Sequence, residues 1–186
     1  TERNGQGSYG WEEQWMKGLI HIYCGDGKGK TTTAMGLCTR AAGYGYKVLI
    51  YQFMKNNKTS ERKILQQIPN ITFVDGLEQE KFSFQMTISE KLERKTYYEK
   101  QFRKITAKAA EENYDLLFFD ELIYTIRAGL FDEQILLDYL KNGKPAHLEV
   151  ILTGQQPSEE LVALADYVSE IRKIKHPFDQ GLPARP

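Results

Sequence analysis

The stretch that decides the fold is Gly25-Asp-Gly-Lys-Gly-Lys-Thr-Thr32. It follows an apolar segment, 18–24, that is typical of a strand, and it leads into a segment of small residues, 30–42, that is typical of a helix. Glycines let the backbone curl so that its N–H groups point inward, and the helix N-terminus adds partial positive charge. A glycine-rich turn in this position predicts a loop that binds phosphate.

This loop departs from the strict pattern G-x-x-x-x-G-K-[ST] at one position. The pattern places its first glycine where this chain has Cys24, and the first glycine here comes one residue later. We expect Lys30 to contact phosphate, the Thr31 hydroxyl to bind Mg²⁺ and Lys28 to add a second cation. The alternative, a flexible turn of glycine and lysine, is disfavoured by the flanking strand and helix.

A second signal is the apolar run Leu116-Leu-Phe-Phe119, which ends at Asp120-Glu121. An acidic residue at the end of an apolar strand is the partner with which a phosphate loop holds Mg²⁺. The spacing does not settle which of the two acids contacts the metal. An ordinary strand end followed by an acid at a helix N-terminus is the alternative interpretation.

The rest of the chain alternates strands with helices. Strands are predicted at 18–24, 47–53, 71–74, 116–119, 148–153 and 167–174. Gly43 is predicted just past the end of the first helix, and Thr87-Ile-Ser-Glu90 matches a capping box that begins another. Several strands are apolar on both faces, which predicts a mostly parallel sheet with helices on both faces. The expected fold is an α/β, RecA-like P-loop domain over residues 18–186, preceded by an N-terminal arm, 1–17.

The composition limits the classes of partner. In 186 residues, 25 Lys and Arg balance 25 Asp and Glu, so a field that attracts nucleic acid or an anionic membrane is not expected. Two cysteines, Cys24 and Cys38, lack metal-type spacing and fit a reducing compartment. We find no apolar run of membrane-spanning length and no signal-peptide core. These features predict a cytoplasmic protein.

Together these segments resemble a known family, the P-loop corrinoid adenosyltransferases of cobalamin biosynthesis and salvage. The resemblance covers nearly the whole chain, from about residue 18 to 181. The motifs that carry it are Gly25-Asp-Gly-Lys-Gly-Lys-Thr-Thr32, Arg40-Ala-Ala-Gly-Tyr-Gly45, Tyr51-Gln-Phe-Met-Lys55, Phe119-Asp-Glu-Leu-Ile-Tyr124, Pro145-Ala-His-Leu148, Ile151-Leu-Thr-Gly154, Ser169-Glu-Ile-Arg172 and Lys175-His-Pro-Phe-Asp-Gln-Gly181. The pattern of residues alone indicates only a nucleotide-binding α/β domain.

The resemblance implies a reaction. The family transfers the 5′-deoxyadenosyl group of ATP to the Co(I) of a reduced corrinoid, and triphosphate leaves. Because Co(I) is itself the nucleophile, the protein has to supply positioning and charge neutralisation rather than a nucleophile or a base. ATP, Mg²⁺ and a corrinoid are the expected ligands, with the ribose C5′ presented toward the corrinoid.

The resemblance also implies roles for individual residues. Those expected to bind ATP are Gly25, Asp26, Gly27, Lys28, Gly29, Lys30, Thr31 and Thr32. Lys30, Thr31 and Glu121 are the predicted catalytic residues. Thr31 and Glu121 are the predicted metal ligands, with Asp120 as their neighbour. Arg40 and Lys55 are further candidates near the nucleotide or the corrinoid.

The family carries a Phe-Thr-Trp-like segment against the corrin, and Phe82-Ser-Phe84 is its match here, with Phe in place of Trp. Such aromatic residues displace the lower axial ligand and so ease reduction of Co(II). The alternative is that Phe82 and Phe84 are simple loop anchors.

The resemblance further implies two partners. The N-terminal arm, with Tyr9, Trp11 and Trp15, can cap the corrinoid site of the other subunit of a homodimer. A leader that gains order on binding is the alternative for this arm. A flavoprotein reductase is the expected source of the electron.

Two other functions stay open at this stage. One is a P-loop NTPase or kinase that acts on another small substrate, in which Glu121 would activate water. The other is a carrier that binds a corrinoid without catalysis.

Overall fold

The computed structural model describes residues 17–79, 81 and 83–181. Almost all of the predicted arm, 1–17, and Phe82 lie outside the described residues. None of the helices within these ranges is long and apolar enough to cross a membrane.

The described chain forms a central sheet with helices on both faces. Its strands are β1 (Ile20–Cys24), β2 (Val48–Gln52), β3 (Ile71–Phe73), β4 (Leu116–Asp120), β5 (Glu149–Thr153) and β6 (Tyr167–Glu170). Its α-helices are α1 (Lys30–Tyr44), α2 (Ser60–Leu65), α3 (Ile88–Glu111), α4 (Leu122–Arg127), α5 (Glu133–Asp138) and α6 (Glu159–Leu164). The strand order is β3-β2-β4-β5-β1-β6, and all five pairings are parallel. The predicted fold class is confirmed.

Strand β4 shows why the sheet has helices packed on both of its faces. Leu116 and Phe118 pack on the face that α1 covers, while Leu117 and Phe119 pack on the face that α3 covers. All four side chains are buried. An uninterrupted apolar run of this kind is stable only where helices exclude water from both faces.

Two predicted helix ends had different outcomes: the start of α3 was predicted correctly and the end of α1 was not. The capping box at Thr87 is confirmed, because its hydroxyl accepts from the Glu90 N–H while the Glu90 carboxylate accepts from the Thr87 N–H. The prediction for Gly43 was wrong. Helix α1 continues to Tyr44, and Gly45 ends it with a left-handed φ of 107°. Both glycines fit the pattern of a helix end, and only the second takes the conformation that glycine alone adopts readily.

Strand β6 ends at Glu170, four residues before its predicted end at 174. Its continuation turns across the phosphate loop instead of extending the sheet. The Ile171 N–H donates to Cys24 O at 2.8 Å, and Ile171 O accepts from the Gly27 N–H at 2.8 Å. The chain after β6 therefore supports the loop after β1.

The parallel sheet decides where the site lies. Because all the strands point the same way, their carboxyl ends meet at one edge, and the connections that follow them converge there. The phosphate loop follows β1, Lys55 follows β2, and Asp120 and Thr153 end β4 and β5. Strands β1, β5, β4 and β2 are successive neighbours, so these residues face a common space.

Candidate active site

The phosphate loop has the backbone that its glycines predict. Gly25 has φ of 108° and Gly29 has φ of 121°, both in the region that side chains disfavour. A Cβ added at Gly25 would lie 2.3 Å from Ile171 O, so the close approach of the supporting segment also requires glycine. The residue before it, Cys24, is the last residue of β1 and is buried. The glycine of the strict pattern is thus displaced by one residue because the strand continues through Cys24.

The N-terminus of α1 is free to receive an anion. The helix begins after Gly29 without a side-chain cap and carries no acidic residue in its first turn. Such a helix leaves N–H groups and partial positive charge available to phosphate oxygens. Lys30 lies over this loop, where its Nζ donates to Gly27 O at 2.9 Å.

Asp26 is the only acidic residue of the loop, and its carboxylate makes a structural hydrogen bond. Its Oδ1 accepts from the Lys173 N–H at 2.8 Å. That hydrogen bond is the main reason why the pKa of Asp26 is lowered. The carboxylate therefore fastens the loop to the segment after β6.

Asp120 is the centre of a polar cluster beneath the loop. Its carboxylate is fully buried. Oδ1 accepts from the hydroxyls of Thr31 and Thr153, each at 2.8 Å, and Oδ2 accepts from Lys55 Nζ at 2.6 Å and Gln52 Nε2 at 3.1 Å. Four donors, from α1, β2, β5 and the turn after β2, thus satisfy one carboxylate, as a buried charge requires.

The hydrogen bond from Thr31 to Asp120 fixes what the threonine can do. A hydroxyl has one proton and two lone pairs. Since the proton is donated to Asp120, the lone pairs of Thr31 Oγ1 are left for a cation. Lys55 Nζ already lies 3.2 Å from that oxygen, so a positive charge is accommodated there.

Glu121 differs from Asp120 in its backbone conformation and in the hydrogen bonding of its carboxylate. Its backbone is left-handed, with φ of 60° and ψ of 17°, a conformation that costs a non-glycine residue about 1–3 kcal/mol and that recurs at functional sites. The peptide is held by its N–H, which donates to Thr153 Oγ1 at 2.8 Å. Within the described part of the chain, the Glu121 carboxylate has no hydrogen-bond or ion-pair partner.

Burial raises the pKa of Glu121, and the neighbouring Asp120 raises it further, while Lys55 and Lys30 act in the opposite direction. The ionised form of a desolvated carboxylate with unused oxygens, next to a second carboxylate, is unfavourable. A bound divalent cation would stabilise it.

The donor set at this edge fits Mg²⁺, which prefers hard oxygen ligands. It comprises the Thr31 hydroxyl and the carboxylates of Asp120 and Glu121. No cluster of three or more His, Cys, Asp or Glu side chains suited to a metal occurs among the described residues. Mg²⁺ in nucleotide sites is ordinarily held by one or two protein groups together with phosphate oxygens and water.

Of the two further predicted residues, Lys55 and Arg40, only Lys55 lies at the polar cluster around Asp120. Lys55 joins the cluster through Asp120 and Thr31. Arg40 does not join it. Its side chain is exposed on α1, ten residues beyond the start of the helix at Lys30, or about 15 Å along the axis at the usual rise.

Of the two aromatic residues in the segment 82–84, the structure describes Phe84. Phe84 lies in a single 3₁₀ turn, Ser83–Gln85, directly before α3, and its side chain is 78% exposed. Two apolar residues of the first turns of α3, Ile88 and Leu92, are also exposed. The segment follows β3, whose carboxyl end lies at the same edge of the sheet as the phosphate loop. Its preceding loop is tied to the one after β2, because the Gly76 N–H donates to Asn57 Oδ1 at 2.8 Å.

Gln52 and Thr153 belong to the cluster, and the sequence reasoning gave neither of them a role. Each is a polar residue at the carboxyl end of a strand with an apolar interior, β2 or β5, and each side chain is buried. This signal was present in the sequence. It was used for Asp120 and not for these uncharged residues.

The loop, the helix N-terminus, the threonine and the acidic strand end define a P-loop nucleotide-binding protein. A family model described as ATP:corrinoid adenosyltransferase BtuR/CobO/CobP matches residues 16–186. The corrinoid adenosyltransferase of Escherichia coli K12 is 31% identical over 174 residues, covering 94% of this chain and 86% of that protein. That of Salmonella typhimurium LT2 is 31% identical over 187 residues, with the same coverage. The chain belongs to the ATP:corrinoid adenosyltransferase family.

Solved structures show the same fold at lower identity. A KaiC-like protein from Pyrococcus horikoshii OT3 has a TM-score of 0.53 and 16% identity, covering 84% of this chain and 73% of that one. The EssC ATPases 2 and 3 of Geobacillus thermodenitrificans have a TM-score of 0.50 and 20% identity, covering 91% of this chain and 34% of that one. Both likenesses concern the P-loop α/β architecture.

Proposed function

We propose that this chain carries out the reaction of its family, transfer of the 5′-deoxyadenosyl group of ATP to the Co(I) of a reduced corrinoid, by means of the residues gathered around Asp120. Two neighbouring features carry the proposal. The helix that follows the phosphate loop has no side-chain cap at its N-terminus, and Thr31 in its first turn donates a hydrogen bond of 2.8 Å to Asp120. The family match favours this transferase over the kinase and the carrier as alternatives.

The chemical step is a displacement at ribose C5′. The electron pair of Co(I) forms the Co–C bond, cobalt is formally oxidised to Co(III), and the C5′–O bond breaks with its electron pair left on triphosphate. Negative charge therefore grows on the leaving group. Preorganised donors and cations at that position lower the barrier, and the loop amides and Lys30 are such groups. No protein side chain has to remove a proton.

We assign the direct metal ligands to Thr31 and Glu121, and a positioning role to Asp120. All four hydrogen bonds of Asp120 are already directed at protein groups. Glu121 has unused oxygens, and its left-handed backbone is held in place from β5. When bound, Mg²⁺ would neutralise part of the triphosphate charge.

The corrinoid is assigned to the edge that carries Phe84, Ile88 and Leu92. These three side chains are 78%, 89% and 66% exposed, and together they offer an apolar surface to a large flat ligand. The predicted contact of Phe82 with the corrin stays a prediction, and so does that of Arg40 with either substrate.

Product analysis tests the proposal. Incubation of the protein with Mg·ATP and chemically reduced cobalamin should release inorganic triphosphate in step with the cobalamin consumed. Release of orthophosphate or diphosphate would indicate an NTPase or a kinase. Tight corrinoid binding without triphosphate release would indicate a carrier.

Glu121→Gln should raise the melting temperature at pH 7 in the absence of Mg²⁺ and nucleotide. The pKa of Glu121 is raised in the folded state, so ionised Glu121 opposes folding once the pH exceeds its usual value of 4.5. The stability gain should therefore vanish below that pH, where the acid is protonated in both states. The variant should also require more Mg²⁺ for activity.

Glu111→Gln, at an exposed position on α3, is the matched control and should change neither quantity. Normal Mg²⁺ dependence in Glu121→Gln would transfer the direct metal contact to Asp120.

Phe84→Ala should separate two assays. If the aromatic ring displaces the lower axial ligand of cobalt, its loss should reduce activity from Co(II) with a mild reductant. It should spare activity from pre-reduced Co(I), where that ligand is already absent. Because Phe84 is 78% exposed, the free energy of unfolding should change by no more than about 0.5 kcal/mol. An equal loss in both assays with lowered stability would show that Phe84 is a packing residue.

Three organisational features are part of the proposal. We propose a domain over residues 18–186 with an arm over 1–17, a homodimer in which Tyr9, Trp11 and Trp15 of the arm cap the corrinoid site of the other subunit, and a flavoprotein reductase as electron donor. The aromatic residues of the arm support the capping contact within the homodimer. The cytoplasm is the proposed location, and the two buried free cysteines, Cys24 and Cys38, fit its reducing conditions.

A further inference from the structure

Lys55 occupies an unusual position at the candidate metal site. Its Nζ lies 2.6 Å from Asp120 Oδ2 and 3.2 Å from Thr31 Oγ1. The second of these oxygens is an assigned metal ligand, and the first belongs to the carboxylate that positions it. An ammonium group thus lies where the site is built to accept a cation.

Charge balance explains why a cation is needed there without metal. Asp120 is fully buried, and the Lys55–Asp120 pair is its only ion pair within the described residues. A buried carboxylate without a counter-charge is strongly unfavourable. Lys30, in the phosphate loop, does not supply this contact, since its Nζ donates to Gly27 O.

The backbone holds Lys55 in this position. Met54, the preceding residue, has a left-handed φ of 56°. Its N–H donates to the hydroxyl of Tyr98, on α3, at 3.1 Å. The turn after β2 is therefore fixed from the neighbouring helix, and the Lys55 side chain is only 27% exposed.

We propose that Lys55 is an internal counter-ion that holds the metal position when no metal is bound and yields it when Mg²⁺ arrives with ATP. This inference rests on the metal site of the proposed function. The triphosphate that accompanies Mg²⁺ offers the displaced ammonium new anionic partners, whereas Mg²⁺ alone does not. The site therefore discriminates against free Mg²⁺ and accepts it together with the nucleotide.

Mg²⁺ binding without nucleotide tests the inference. The dissociation constant for Mg²⁺ is measured from the rise in melting temperature with MgCl₂, in the absence of ATP and corrinoid. Lys55→Met should bind Mg²⁺ at least about tenfold more tightly than the parent protein, because a competing positive charge is gone. Lys30→Met is the matched control. It removes a neighbouring charge that touches neither Thr31 nor Asp120, and it should change Mg²⁺ binding less.

A double variant keeps the test decisive if Lys55→Met folds poorly. Lys55→Met with Asp120→Asn removes both charges, so it should recover stability relative to Lys55→Met and lose the added response to Mg²⁺. Equal Mg²⁺ affinities for Lys55→Met and the parent would overturn the inference, as would an equal gain in Lys30→Met. A parent protein that Mg·ATP together fails to stabilise would contradict the metal site itself.

Discussion

Replacing Lys30 by methionine is expected to lower turnover at saturating ATP by about 10²–10³-fold, the usual effect of losing one preorganised electrostatic contact. The physical reason is the charge that grows on triphosphate as the C5′–O bond breaks. Lys30 is at the start of α1, and its ammonium lies over the phosphate loop. An interaction that strengthens in the transition state changes kcat and not only KM.

Single-turnover rates with pre-reduced Co(I) at saturating Mg·ATP provide the measurement for Lys30→Met. Lys63→Met, at an exposed position on α2, is the control and should retain the parent rate. If Lys30→Met raises KM while kcat is unchanged, Lys30 binds the ground state and does not stabilise the leaving group.

Asp120→Ala is expected to have the largest effect on stability, a loss of about 3 kcal/mol in the free energy of unfolding. The variant leaves Lys55 without its carboxylate partner and leaves the hydroxyls of Thr31 and Thr153 without their acceptor, while Gln52 Nε2 keeps only its hydrogen bond to Glu61. The estimate is at the low end for a broken buried ion pair because Lys55, at 27% exposed, can turn toward water. Activity should be lost as well, since Thr31 is no longer oriented.

Urea unfolding followed by circular dichroism measures the loss in Asp120→Ala. Asp138→Ala, at the exposed end of α5, is the control, and its free energy of unfolding should stay within about 0.5 kcal/mol of the parent value. A stable Asp120→Ala would show that the four hydrogen bonds do not form a cooperative unit.

The fold could be predicted because its signals are local. An apolar run such as Leu116–Phe119 needs cover on both faces, and the glycines of the phosphate loop match positions that disfavour side chains. The end of β6 was mispredicted because a distant contact decides it. Strand β6 stops early because Ile171 is used by the phosphate loop, which lies far away in the sequence.

The sequence predicted which residue types form the candidate site, but it did not predict the separate role of each residue. Spacing could not separate Asp120 from Glu121. The structure distinguishes them, because the first is enclosed by four donors and the second is on a left-handed residue with unused oxygens. Lys55 was a candidate through family resemblance alone. Its contact with Thr31 depends on the pairing of β2 with β4 and on a turn that Tyr98 holds.

The formation of a cobalt–carbon bond is the most direct test of the central claim. Chemically reduced cobalamin is incubated with the protein, Mg²⁺ and ATP, and its visible spectrum is recorded before and after photolysis. An alkylated cobalamin spectrum that light abolishes should appear only when ATP is present, and it should form much more slowly with Lys30→Met. A parent protein that binds ATP and cobalamin yet yields no light-sensitive product would contradict the central claim.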